Sequence, residues 1–131
     1  MNRSPQYSSA ETPWIGVDLD GTLAEHYWPH KGPFHPLIIG SPIVPMVQEV
    51  RRMLAEGYVV KVFTARVGVR GKSPNNKGVK LEDIRREIAR WTEEHVGTAL
   101  EATCVKDYNM VQLWDDRAVR VVHNGGTRCC D

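Results

Sequence analysis

The first strong apolar stretch along the chain is Trp14 to Leu19 (WIGVDL), interrupted only by Asp18 and ended abruptly by Asp20-Gly21-Thr22. A short run of aromatic and β-branched residues closed by a turn-forming triplet predicts a buried strand that delivers acidic side chains at its carboxyl end. From Ala24 to Ile43 four prolines and three histidines are mixed with aromatics, and neither a twofold nor a 3.6-fold period is sustained, so a long irregular loop is expected. Ser41-Pro42 then reads as an N-cap followed by proline in the first helical position. Val44, Val47, Val50, Met53 and Leu54 form the apolar stripe of a helix that stops at Gly57. Tyr58 to Phe63 (YVVKVF) predicts a second strand, with Thr64-Ala65-Arg66 at its end, and the turn formers that follow through Lys80 predict another loop. Leu81, Ile84, Ile88, Trp91 and His95 recur at spacings of three and four with charges between them, as an amphipathic helix requires. Thr103 to Val105 and Met110 to Trp114 are extended candidates, the second ending in Asp115-Asp116. Ala118 to His123 reads as a last short strand.

Strands alternating with long helices imply crossover connections. The expected class is therefore α/β, a three-layer Rossmann-like arrangement with a mainly parallel sheet and helices on both faces. One joint resists this scheme. Only Lys106 to Asn109 separates two candidate strands, whereas a parallel crossover needs about a dozen residues, so Thr103 to Val105 is either not a regular strand or a stub at the sheet edge. A chain of 131 residues holds one ordinary domain. The boundaries expected are a frayed tail over 1–13, a core over 14–123 with a flap loop over 24–43, and a tail over 124–131.

Composition narrows the class without naming an activity. With 41% hydrophobic and 25% charged residues the chain is neither a membrane span, a collagen-like rod nor a mostly disordered polymer. No run approaches the ~20 apolar residues that cross a bilayer, and MNRSPQYSSAETP lacks the apolar stretch of a signal peptide. Three cysteines, two of them the adjacent Cys129 and Cys130, do not pair off and have no metal-ligand spacing. A reducing, cytoplasmic setting is expected. The net charge of +1 conceals a division, because Arg66, Arg70, Lys72, Lys77 and Lys80 fall in one acid-free segment beside Thr64. That segment is either a solvated loop or a steering patch for an anionic substrate.

Ligands of open parallel sheets bind outside the carboxyl ends of the strands, and polar groups are placed where those ends should be: Asp18 and Asp20, Thr64 with Arg66, Lys106, and Asp115 with Asp116. Residues two apart in an extended chain share a face, so Asp18 and Asp20 can address one small volume while Leu19 stays in the core. Four carboxylates in one cleft repel strongly and require a cation. Hard oxygen donors without cysteine or histidine favour magnesium. Each feature also has a plainer reading: an acidic turn for Asp18 and Asp20, a satisfied turn hydroxyl for Thr64, a surface lysine for Lys106, a helix cap for Asp115-Asp116. His26, His30 and His35 match no metal-site spacing and read as flap packing or loose substrate contacts.

The stretch Gly16-Val17-Asp18-Leu19-Asp20-Gly21-Thr22-Leu23 resembles the first motif of the haloacid dehalogenase superfamily of aspartate-nucleophile phosphohydrolases. Thr64 after Val62-Phe63 resembles the second motif, Lys106 the third, and Leu113-Trp114-Asp115-Asp116 the fourth, in family order from Trp14 to about Val122. The resemblance implies a magnesium-dependent phosphatase with Asp18 as nucleophile and Asp20 as general acid and base. It further implies that Thr64, Lys106 and Arg66 bind phosphate. Metal ligation would fall to Asp18, to Asp20 through its backbone carbonyl, and to Asp115 or Asp116. The short flap over 24–43 implies a small member without a large cap, acting on a phosphorylated small molecule, a nucleotide or an oligonucleotide end, with a homo-oligomer as one way to cover the cleft. Two alternatives stay open. One is a nucleic-acid 3′-phosphatase similar to the phosphatase domains of polynucleotide kinases, which also carry Asp-Asp-Arg in the fourth motif, as in Asp115-Asp116-Arg117. The other is a non-catalytic protein that keeps the scaffold to bind a phospholigand or a partner.

Overall fold

A computed structural model describes residues 12–26, 35–68 and 78–129. The expected frayed tail up to residue 11, the flap residues Tyr27 to Phe34, the basic-loop residues Arg70, Lys72 and Lys77, and Cys130 lie outside the described residues.

The apolar run at the start of the core forms β1 (Trp14–Val17), buried along its whole length. Its ladder carries one residue further, since the Asp18 amide donates to the Trp114 carbonyl at 2.9 Å. Leu19 then turns inward, fully buried, and its carbonyl accepts from the amides of Leu23 and Ala24, both at 2.9 Å. The helix α1 spans Val44–Ala55. It begins at Ile43, which has no side-chain cap, with Pro45 in the first turn. The expected cap at Ser41-Pro42 is thus corrected. Those residues are drawn into an antiparallel pairing with the start of the flap instead: Glu25 N–H donates to Ser41 O and Ile43 N–H to Leu23 O, both at 2.8 Å. This short ribbon ties the two ends of the flap together. The other end of α1 follows expectation. Gly57 adopts φ +93°, its amide reaches Leu54 O, and Tyr58 N–H reaches Met53 O, the paired bonds of a Schellman stop that a side chain with a Cβ resists.

Next come β2 (Val59–Phe63), a 3-10 turn over Ala65–Gly68, and α2 (Leu81–His95). The buried stripe of α2 is Ile84, Ile88 and Trp91, three of the five positions that the periodicity singles out. Two strands complete the sheet, β3 (Ala102–Thr103) and β4 (Met110–Trp114). All pairings are parallel, in the order β3-β2-β1-β4. The α/β class with a parallel sheet is therefore what the chain adopts, and the doubtful third strand is a two-residue stub against the end of β2.

The expectation of helices on both faces is corrected among the described residues. Ile15, Val17, Val60 and Val62, which lie on one face of the paired β1 and β2, form a single core with Val47, Val50 and Met53 of α1 and Ile84, Ile88 and Trp91 of α2. Arg51 of α1 donates to the carbonyls of His95 and Val96 at the end of α2, so both helices occupy the same layer. The cause is topological. Two crossovers of one hand that step the same way across a sheet place their helices on the same side, and the return from β3 to β4 is only residues 104–109. On the opposite face Trp14 and Lys61 are buried at 1% and 6% exposure. There the Lys61 ammonium lies 4.7 Å from the centre of the Trp14 ring, and the indole N–H donates to Asp107 at 2.8 Å.

Beyond Asp116 every described residue is exposed. The expected strand over Ala118 to His123 is not part of the sheet. It is one arm of a hairpin held by a Val121–Arg128 bridge, turned through Asn124 and Gly126 at positive φ. Among the described residues no helix is long and apolar enough to cross a membrane.

Candidate functional site

The centre of the sheet sets the position of the acids. β1 and β4 are parallel neighbours with Val17 opposite Trp114, so the residues that follow each strand emerge side by side. Carboxylate oxygens of Asp18, Asp115 and Asp116 lie within 4.8 Å of one another. Thr22 organises them. Its hydroxyl is 3.2 Å from Asp18 Oδ2 and 3.3 Å from Asp116 Oδ1, a single proton addressed to both, and it accepts the Asp116 backbone N–H at 3.0 Å. Gly21 lets this happen in two ways: its φ of +92° closes the turn, and a Cβ there would lie 2.5 Å from Asp116 Oδ2. Asp115 Oδ1 accepts the Arg117 amide at 2.8 Å, which fixes the second acidic loop.

Crowding shows in the protonation of Asp18, whose carboxyl is pushed up from 3.8 to about 7. Burial is the main cause. The Asp115 charge and the hydrogen bond with Asp116 add to it, and the Thr22 hydroxyl partly opposes them. A group with its folded value raised in this way binds more protons in the folded chain than in the unfolded one between pH ~4 and ~7. Stability of the metal-free protein is therefore expected to fall as pH rises through that window and to recover on adding a divalent cation. Melting temperatures at pH 5 and pH 8, with and without magnesium, check this; a loss of several degrees at pH 8 that magnesium reverses is the expected result. Glu87 and Asp107 are held low, by Arg90 and by the Trp14 indole respectively. Their contribution is lost only as pH falls below the ordinary carboxylate range, outside this window.

The donor set fits magnesium: three carboxylates, no thiolate and no imidazole within the group, and a carboxyl whose ionisation the neighbouring acids oppose. Asp18, Asp115 and Asp116 are the residues that would hold the ion.

Asp20 takes a different direction. Its side chain lies outside the group of three carboxylates and receives a bidentate contact from Arg66, Nε to Oδ2 and Nη2 to Oδ1, both at 2.8 Å. His26 Nδ1 is 3.6 Å from Asp20 Oδ1 on the flap side. The same guanidinium donates through Nη1 to the Pro36 carbonyl at 3.0 Å, and the Arg66 side chain is only 4% exposed. Arg66, expected to contact phosphate, is thus committed to tying Asp20 and the returning flap to the end of β2. The 3-10 turn after Thr64 aims it inward. Thr64 is buried, with its amide bonded to Thr103 O and its hydroxyl accepting the Arg66 N–H at 3.1 Å. Lys106 is exposed and has no hydrogen bond or ion pair with another described residue. Strand β3 ends three residues before it, so no ladder carries its side chain toward the acids.

An open cleft of about 500 Å³ reaches Asp115 and Asp116, between the end of β4 and the first turn of α1. Ile43, Pro45, Met46 and Trp114 supply its apolar wall. Sequence reasoning left out this wall and gave no role to Thr22, although Thr22 stands in the Asp-Gly-Thr triplet that ends β1. No family model, curated protein or solved structure matches this chain, so its function must be read from the chemistry of the cleft itself.

Proposed function

We propose that the protein is a magnesium-dependent phosphohydrolase of phosphomonoesters, related in design to the haloacid dehalogenase superfamily and working without a large cap. The observation that carries this reading is the convergence of Asp18, Asp115 and Asp116 at the carboxyl ends of adjacent parallel strands, organised by the Thr22 hydroxyl. A bound divalent cation supplies charge neutralisation for the carboxylates and for the phosphoryl oxygens.

The roles of the chain's own residues follow from position. One Asp18 oxygen attacks phosphorus, forming an aspartyl-phosphate as the ester P–O bond breaks and Asp20 gives its proton to the departing alcohol oxygen, while Thr22 holds Oδ2 and so orients the attacking carboxylate. In the second half-reaction water attacks the same phosphorus, the Asp18 O–P bond breaks, and the proton of the water passes to Asp20. Arg66 fixes both oxygens of that base. Thr64 offers its hydroxyl proton at the end of β2.

The non-catalytic alternative has one observation in its favour, the commitment of Asp20 to Arg66. A single assay separates the two readings. Hydrolysis of an aryl phosphate is expected with magnesium and lost with EDTA, measured as inorganic phosphate released by protein purified free of contaminating phosphatase. A metal-independent rate, or no release across the metal series, would sink the phosphohydrolase reading.

A further inference from the structure

The cleft beside the carboxylates has two unlike ends, and this difference selects a substrate. One end is formed by Asp115 and Asp116 of the acid group, with Gly21 and Thr22 beside them. The other is built from Ile43, Pro45 and Met46 at the start of α1 and from Trp114 at the end of β4. The volume of about 500 Å³ lies in the range of small-molecule sites, which combine apolar walls with a few convergent polar groups. Among the described residues that line it there is no lysine or arginine, and the one further charged group is Glu49, whose Oε1 is already engaged by Arg52 at 2.6 Å. A second phosphate or a nucleic-acid backbone entering here would meet Asp116 and Glu49, with no cation among the described lining residues to receive it. A bare sugar would leave its hydroxyls facing an apolar wall, at the cost of their water. A planar, uncharged group does neither, and the half-buried Trp114 offers it aromatic surface, its indole N–H held by Gln112 at 3.1 Å.

We infer that this cleft seats the leaving group, and that the substrate class is a monophosphate ester whose leaving group carries a planar, uncharged ring and no further negative charge, of which aryl phosphates and nucleoside monophosphates are the testable examples. The inference rests on the phosphohydrolase reading for its reaction and on the cleft alone for its selectivity.

The test compares kcat/KM, with magnesium, for 4-nitrophenyl phosphate and adenosine 5′-monophosphate against glucose 6-phosphate, adenosine 3′,5′-bisphosphate and a 3′-phosphorylated oligonucleotide. At least about tenfold preference for the first pair is expected. Met46→Lys, which puts a cation on the apolar wall, is expected to move the ratio of bisphosphate to monophosphate turnover up by about tenfold. Equal turnover of all five, or preference for the sugar phosphate or the oligonucleotide, overturns the inference while leaving the phosphohydrolase reading intact. A second readout does not depend on turnover: the indole N–H resonance of Trp114 on adding adenosine, with ribose as control. If no substrate is hydrolysed but adenosine shifts that resonance and ribose does not, the phosphohydrolase reading falls and the assignment of the cleft stands. If no substrate is hydrolysed and adenosine leaves the resonance unmoved, both fall.

Discussion

Phosphate release by the Asp18→Asn protein is expected to fall by at least about 10⁴-fold, while its metal-free form becomes more stable than the parent above pH 7. The first effect follows from removing the nucleophile. Losses of this order or larger are what a group that forms the covalent intermediate carries, because the neighbouring groups cannot substitute for it. The second effect comes from the same carboxylate and has the opposite sign. Asp18 is pushed up to about 7 by burial and by Asp115 and Asp116, so above that pH the parent holds an ionised group in a place that disfavours charge. Asparagine carries no charge, keeps an oxygen to accept from Thr22, and gains an N–H to offer Asp116. The apo variant should therefore melt several degrees above the parent at pH 8 and close to it at pH 5, and magnesium should stabilise it far less. Opposite signs in activity and stability are informative together. A variant that lost activity by unfolding would lose both, and a variant of a non-catalytic acid would lose neither.

Periodicity made the helices legible, and α2 begins and ends where its stripe does, because Ile84, Ile88 and Trp91 face one core. The start of α1 was less so. Ser41-Pro42 has the residue types of a cap, yet a serine side chain only caps where the backbone is not already engaged, and here Ser41 accepts from Glu25 across the flap ribbon. That contact joins residues sixteen apart and has no local signature. The layer count turns on a feature visible in the sequence: a connection of residues 104–109 has no room for a helix on the second face. At the site, the strand ends announced Asp18, Asp115 and Asp116, since a carboxyl end in a parallel sheet is a position any strand pattern locates. The direction of Arg66 was not announced. Whether a side chain three residues past a strand points to solvent or to the interior depends on how the turn coils, and here the Thr64 hydroxyl winds it into a 3-10 turn. Lys106 is the mirror case, a charged residue expected at a strand end whose strand stops short.

Arg66 therefore gives the second large effect, and it is one of stability. Its side chain is 4% exposed and that of Asp20 19%, so replacing Arg66 with methionine keeps the volume and leaves a largely buried carboxylate facing, among the described residues, the single imidazole of His26. Removing one partner of a buried ion pair costs about 3–5 kcal/mol; with Asp20 partly open to water, about 3 kcal/mol is expected, a large fraction of the 5–15 kcal/mol that holds a typical domain together. Arg66→Lys should lie between, because an ammonium keeps the charge but not the planar fork that meets both Asp20 oxygens while Nη1 reaches Pro36. Urea denaturation at constant m-value measures both. Asp20→Asn in the Arg66→Met background should restore part of the loss, since it removes the stranded charge, and the double-mutant cycle isolates the pair. Kinetics then separate a positioning residue from a phosphate ligand. If Arg66 gripped substrate, Arg66→Lys would raise KM with little change in stability. A residue that fixes Asp20 instead lowers kcat, through the base that must receive the proton of the attacking water, and its loss loosens the returning flap at Pro36 in the same step.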